Sequence, residues 1–370
     1  EAGVDVWLFA HGRPRAGSDA AIAARECALR PLPLSDFVPE PGSVIVDALF
    51  GAGLSKPLSP ELCRLIENVT LLDIPVVAVD LPSGLSGETG LILGTAFRAE
   101  VTVTFARKKP GHLLLPGKVM CGEVMVADIG IGDRIIDSVG SLCTENVPAG
   151  WIRDFPRPGM DSYKYSRGHV GVFSGGPAAT GAARLAAMAA ARIGAGAVTL
   201  LSPSASIAVN AAHLTSTMLR EADTLDEVLA FVEARRPRSL VYGPGLGAEP
   251  DTGDFLLAIL AQSGGLLPSL VIDADGLSTF EGRPELLFEI LRSRPGMPAA
   301  VLTPHEGEFR RLFPDLAGDD RISKLEKARA AAKRAGAVIV YKGPDTVIAA
   351  PDGRAAINEN GSPWLATAGS

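Results

Sequence analysis

Residues 43–84, SVIVDALFGAGLSKPLSPELCRLIENVTLLDIPVVAVDLPSG, hold two short apolar runs on either side of an amphipathic stretch. SVIVDALFGAG (43–53) and IPVVAVDLPSG (74–84) each end in an aspartate and a glycine turn, and both read as buried strands. Between them, PELCRLIENVTLLD (60–73) sets Leu62, Leu65, Ile66 and Val69 on one face at helical spacing. The unit is therefore β-α-β and crosses over right-handedly. Two further runs, AEVTVTFARKK (99–109) and GEVMVADIGIG (122–132), extend it into an open parallel sheet.

Beyond residue 135 the apolar residues scatter, and Pro148, Pro156 and Pro158 mark a linker. A second set of strands follows: GHVGVFSGG (168–176), GAVTLLSP (196–203), SLVYGPGLG (239–247), SLVIDADGL (269–277), PAAVLTPHEGE (298–308) and AGAVIVYKGPD (335–345). Helical stretches intervene, the clearest being TGAARLAAMAAARIGAG (180–196), with a Thr-Gly cap region and a Gly-Ala-Gly stop. TVIAAPDGRAAIN reads as a hairpin turning at Pro351, Asp352 and Gly353. The expected division is 1–135, a linker at 136–150, and 151–370.

The 370 residues suffice for two domains at roughly 100 to 200 residues each. Hydrophobic residues make up 47% and aromatics only 5%, which favours α/β packing over an aromatic-rich sandwich. A net charge of -7 removes the electrostatic footprint of a nucleic-acid binder. Cys27, Cys63, Cys121 and Cys143 form no C-x-x-C pair and no His-x-x-x-His exists, so neither a disulfide framework nor a zinc site is indicated. A reducing cytoplasm fits. The longest uncharged stretch, Ile193 to Leu219, is broken by Pro203, Asn210 and His213 and does not read as a membrane span.

In an open parallel sheet, ligands collect at the carboxyl ends of the strands. That position singles out Asp47, Gly51, Gly53, Asp80, Ser83 and Gly84 in the first half. An aspartate ending a strand often does no more than cap the next helix. Two on consecutive strands, each before a glycine turn that admits a ligand to the backbone, favour function, as oxygen ligands of a hard cation or as a general base. In the second half, Gly-Pro-Gly-Leu-Gly (243–247) is an amide-rich turn, a plain loop or an anion contact. His305 directly follows a strand, and Lys342-Gly343 can meet a phosphate as a point charge or snorkel to solvent. Neither a Walker A motif nor a G-x-G-x-x-G fingerprint is present.

These residues carry a resemblance. VDALFGAGLSKPL (46–58), AVDLPSGLSGETG (78–90) and TVTFARKKPGHLLLPGKVMCGEVMVADIGI (102–131) resemble the epimerase domain of the enzymes that repair hydrated nicotinamide nucleotides. YKYSRGHVGVFSGGPAATGAARLAAMAAARIGAGAVTLLSP, YGPGLG, VIDADGL, LTPHEGEFRRLF and YKGPDTVIA, in this order, resemble the dehydratase of the same system, over about 163–370. The resemblance implies a Rossmann-like parallel-sheet epimerase domain followed by a ribokinase-like α/β domain. It implies a potassium site using Asp47 and Ser83, a substrate loop of Gly51, Ala52, Gly53, Leu54, Ser55, Lys56 and Pro57, and Asp80 as the catalytic group at the nicotinamide hydrate. Lys108 or Lys109 is expected at a phosphate or on a solvated turn. In the second half it implies substrate contacts at Ala182, Gly247 and His305, and nucleotide contacts at Lys342, Gly343, Pro344, Asp345 and Thr346.

The implied activity is epimerisation of the R and S hydrates of NADH and NADPH, then dehydration of the S form with ADP or ATP. The expected cofactors are K+ and ADP or ATP, with room for Mg2+, and the expected assembly is a homo-oligomer. Two departures stand out. The family's Asn-Asn-Gly-Gly-Asp-Gly loop does not precede the first strand, and LATAGS (365–370) stops before the final Gly-Asp of the family's anion hole, leaving Gly369 and Ser370. A fragment truncated at both ends and inactive by itself is the expectation. The rival readings are a ribokinase-like small-molecule kinase, for instance of a vitamin precursor, and a silent nucleotide-binding module.

Overall fold

The computed structural model describes residues 3–262, 268–293 and 300–365, and its contacts divide the chain at Ser138/Val139 into two units. In the first unit, strands β1 (Ile45–Asp47), β2 (Val76–Val79), β3 (Val101–Phe105) and β4 (Glu123–Ala127) form one parallel sheet in that order. Helix α1 (Pro60–Leu71) crosses between β1 and β2. Its start is written locally: Ser59 Oγ accepts the Leu62 amide, and Pro60 occupies the first turn, where its missing N–H costs nothing. Leu62, Ile66 and Val69 are buried against Val76, Ala78 and Phe97, with Leu65 half-buried beside them. Each fully buried side chain of this kind contributes about 1.5 to 3 kcal/mol.

The second unit holds a sheet of ten strands. In chain order these are β5 (Cys143–Glu145), β6 (His169–Phe173), β7 (Ala197–Ser202), β8 (Met218–Glu221), β9 (Ser239–Tyr242), β10 (Ser269–Ile272), β11 (Ala300–Leu302), β12 (Val338–Tyr341), β13 (Val347–Ala349) and β14 (Ala355–Ile357). Their order across the sheet is β8-β7-β6-β9-β10-β11-β12-β13-β14-β5. The run from β8 to β12 is parallel, and β13 and β14 form the hairpin read from the sequence. The chain moves outward from β6 to β8 and then returns to the other side of β6 with β9. A reversal of this kind puts the expected ligand crevice at the carboxyl ends of β6 and β9.

Helix α2 (Gly181–Ile193) packs Ala183 and Ala187 onto Val172, Val198 and Leu200, small residues that let helix and sheet approach closely. Gly194, at φ 122°, ends it, but the Thr180 hydroxyl makes no capping bond. The stretch 136–150, expected as a linker, is ordered differently: Asp133–Val139 is helical, and β5 pairs in parallel with β14, Cys143 opposite Ala355. A three-residue edge strand is too short to show a period in sequence.

Glycines set how tightly the crevice closes. A Cβ on Gly175, after β6, would lie 1.7 Å from the Gly245 carbonyl oxygen, after β9, whereas one on Gly176 meets nothing within 4 Å. Gly175→Ala is therefore expected to destabilise the unit by about 1 to 3 kcal/mol, lowering the Tm by several degrees, while Gly176→Ala stays near wild type. Equal melting of both variants, read by calorimetry, contradicts this packing.

Candidate functional site

In the first unit, Asp80 ends β2 with φ 70°, a left-handed conformation that aspartate adopts more readily than most side chains. Its Oδ1 accepts from Lys109 Nζ at 2.6 Å and from Thr104 Oγ1 at 3.0 Å, and its Oδ2 accepts the Ala52 amide at 2.9 Å. Gly51 makes room for that approach, since a Cβ there would stand 2.7 Å from Asp80 Oδ2. Burial alone would raise the Asp80 pKa. The bonds and charge of Lys109, with the Ala52 amide and Thr104, outweigh it and hold the carboxyl below its ordinary 3.8.

Asp47, at the end of β1, has the opposite setting. It is 2% exposed, its Oδ2 accepts the Ser83 amide at 2.6 Å, and its Oδ1 accepts the Ser83 hydroxyl at 2.6 Å. Ser83 Oγ in turn accepts the Phe50 amide at 2.9 Å, so Asp47 ties two strand-end turns together and caps no helix. Burial dominates and pushes its pKa up. The turn 51–57 thus meets Asp80 through Ala52, while Ser55, Lys56 and Pro57 are exposed on its far side. Lys109, expected at a phosphate or in solvent, sits instead on Asp80 with a side chain 26% exposed, because a half-buried carboxylate one strand away is a nearer counter-charge.

The second unit gathers its polar residues at successive strand ends. Between Asp273 and Asp275, Ala274 adopts φ 50° and ψ −120°, which sends the neighbours to different partners. Asp273 Oδ1 accepts from Lys342 Nζ at 2.7 Å, and Asp275 Oδ2 accepts the Gly247 amide at 2.9 Å. His305 starts helix α3 (Glu306–Leu312) as its N-cap: Nδ1 accepts the Gly307 amide at 2.9 Å, while Glu308 Oε2 accepts the His305 amide at 2.8 Å. The reciprocal bonds are a capping box built on histidine. A cavity of about 870 Å³ opens here, with Ala248, Asp275, Arg283, His305, Glu308 and Arg311 among its lining.

Of the expected contacts, Gly247 and His305 meet this cavity, the first through Asp275. Ala182 is exposed in the first turn of α2. Lys342 lies between Asp273 and Glu308, whose Oε2 is 3.9 Å from Nζ. The turn after it closes through Thr346 Oγ1, which accepts the Gly343 amide at 3.1 Å, and Asp345 is held by Lys324 Nζ at 2.6 Å. Pro344 is exposed on that turn. Gly369 and Ser370 lie outside the described residues. Sequence reasoning did not single out Asp273, Asp275, Glu308, Thr104 or His112; the D-A-D run after a strand and the H-x-x-E spacing were the available signals. Among the described residues, no group of three or more His, Cys, Asp or Glu side chains is placed to hold a metal, and no helix is long and apolar enough to cross a membrane.

The Asp80–Lys109 pair has a pH signature. A carboxyl whose folded pKa is depressed contributes stability above its unfolded value and loses it as pH falls through the folded one. The stability difference between wild type and Lys109→Met, on the order of 1 kcal/mol, should be fully present above the unfolded value near 3.8 and fade below it. Urea denaturation across this range checks it; a difference that persists undiminished at low pH assigns Lys109 a packing role alone.

Comparison with known proteins agrees with the geometry. A family model described as NAD(P)H-hydrate dehydratase matches residues 170–370, and one described as YjeF-related protein N-terminus matches 4–111. The bifunctional NAD(P)H-hydrate repair enzyme Nnr of Mycobacterium leprae is 37% identical over 327 residues, covering 88% of this chain and 62% of the relative. The enzyme of the same name from Moorella thermoacetica is 36% identical over 341 residues, again 88% and 62%. The chain thus spans about 62% of the length of these curated relatives. Among solved structures, the ADP/ATP-dependent NAD(P)H-hydrate dehydratase from Bacillus subtilis, co-crystallised with ATP and Mg2+, superposes with a TM-score of 0.50 at 25% identity, over 61% of this chain and 76% of that one. A ribokinase-like superfamily protein from Enterococcus faecalis V583 shares the fold, with a TM-score of 0.51 at 23% identity over 62% of this chain and 76% of that one. With the dehydratase model covering more than half its length, the chain belongs to the NAD(P)H-hydrate dehydratase family.

Proposed function

We propose that this chain serves a bifunctional repair of hydrated NADH and NADPH, its first unit interconverting the R and S hydrates and its second dehydrating the S form with ADP or ATP. One observation carries the reading. The carboxylate of Asp80, its pKa held low, sits on three donors at a strand end, and its side chain stays 20% exposed beside a glycine turn. Epimerisation needs a group that takes up and returns a proton at the hydrated ring, and a fixed carboxylate does this. The matched relatives, named as bifunctional repair enzymes, support joining the two activities.

Asp47 and Ser83 fit a potassium ion. Asp47 is a buried carboxylate whose charge no basic side chain among the described residues balances, and Ser83 Oγ and the Phe50 carbonyl stand beside it as further oxygens. Bound there, K+ would supply a fixed positive charge next to the substrate turn 51–57.

In the second unit, Lys342, Gly343, Pro344, Asp345 and Thr346 would hold the nucleotide phosphates, with Mg2+ as their companion ion. Hydroxide is a poor leaving group; transfer of a phosphoryl group to the ring hydroxyl makes phosphate the leaving group and yields the nicotinamide nucleotide, ADP or AMP, and phosphate. Ala182, Gly247 and His305 would face the hydrate at the carboxyl edge. A homo-oligomer in the cytoplasm completes the proposal.

The two hydrates separate the two activities. Asp80→Asn should lower recovery of NADH absorbance from the R hydrate by roughly a hundredfold or more and leave the S hydrate at wild-type rate. Equal rates on both hydrates in the folded variant would falsify the role of Asp80. Accumulation of a stable phosphorylated product in place of NADH assigns the second unit to small-molecule kinases.

A further inference from the structure

We infer that His112 is the positioning residue that keeps Asp80 and Lys109 on each other, an inference that rests on the epimerase reading of the first unit. The imidazole is 2% exposed and lies in the turn Pro110–His112. Its Nδ1 accepts the Lys109 amide at 2.9 Å, which leaves the ring proton on Nε2, and Nε2 donates to the Asp80 carbonyl at 2.8 Å. One neutral ring therefore bonds the main chains of the two residues whose side chains meet at 2.6 Å. Burial, the largest influence, lowers its pKa and keeps it neutral.

The consequence for chemistry follows from how the two carboxylate oxygens are bonded. Asp80 Oδ1 is occupied by Lys109 and Thr104, and Lys109 Nζ spends its other bonds on Thr104 Oγ1 at 2.8 Å and the Phe105 carbonyl at 3.4 Å. Oδ2 accepts the Ala52 amide at 2.9 Å and faces the Gly51–Ala52 turn, where the epimerase reading puts the substrate. That orientation needs the left-handed backbone at Asp80, which an L side chain gives up readily unless something holds its carbonyl. His112 holds it, and its own turn is pinned: the Gly111 amide donates to the Gly87 carbonyl at 2.8 Å, and a Cβ on Gly111 would lie 2.4 Å from the Ser86 carbonyl.

The test compares three variants of the full-length protein. His112→Leu removes both bonds, His112→Gln keeps a donor toward Asp80, and His112→Asn keeps an acceptor toward Lys109. In His112→Leu, kcat for epimerisation of the R hydrate should fall about tenfold to a hundredfold with KM within about twofold, because misplacement of a reacting group by an ångström costs on this scale. His112→Gln should recover most of kcat, and His112→Asn less. A second readout needs no activity: the Lys109 ammonium resonance, slow to exchange while paired, should be lost in His112→Leu and retained in His112→Gln. A folded His112→Leu with wild-type kcat and an unchanged Lys109 resonance overturns the inference. If that variant does not fold, equal wild-type kcat in His112→Gln and His112→Asn overturns it. Absence of epimerisation in the wild type itself defeats the functional reading instead, and the resonance then decides the positioning role alone.

Discussion

In both units the turns that follow the strands approach so closely that a single methyl group does not fit between them. Gly51 lies on Asp80, Gly84 on the Thr95 carbonyl, Gly175 on the Gly245 carbonyl and Gly243 on the Asp273 carbonyl. Parallel strands deliver all their carboxyl ends to one edge, and glycine lets the chain fold back over that edge with its amides inward. Asp80 owes its Ala52 bond to this approach, and Asp47 reaches Ser83 across the same edge. In the second unit the reversal between β6 and β9 places Gly175 against Gly245, and Gly247 in that same turn gives its amide to Asp275 at the cavity.

The two strand-end aspartates of the first unit show how environment divides roles between identical side chains. Asp47 is buried with no counter-charge among the described residues, and desolvation raises its pKa although three donors face it. Asp80 is more exposed and paired with an ammonium, so its pKa falls. A depressed carboxylate is a weak base in isolation. Lys109, 2.6 Å from Oδ1, is a source of that depression and holds the carboxylate in one orientation. In the second unit Lys342 bonds Asp273 at 2.7 Å in a similar pairing.

The parallel sheets were legible because strands advertise themselves as β-branched runs ending in Asp or Gly, although Val46 of β1 and Met125 and Val126 of β4, read as parts of buried strands, are exposed. The residues directly after those runs, Asp47, Asp80, Gly247, His305 and Lys342, needed only the rule that chemistry gathers at carboxyl ends. What stayed hidden has one physical cause: long-range partners leave no local pattern. Lys109 is 29 residues from Asp80 and Lys342 is 69 from Asp273, and nothing in the spacing of a lysine says which carboxylate it will meet. His112 was silent because both its partners are main-chain atoms, which any residue supplies, and one of them, the Asp80 carbonyl, is 32 residues away. The edge strand Cys143–Glu145 was missed because three residues carry no period.

On the proposed function, ligands meet both units at the carboxyl edges of their sheets. Hydrogen–deuterium exchange of the full-length protein, with and without hydrated NADH and ADP, tests this directly. Slowed exchange should appear at 51–57 in the first unit and at 243–247 and 343–346 in the second, the turns assigned to the proposed ligands. Protection confined to the opposite edges, at the strand starts near Ile45, Val76 and His169, would contradict it.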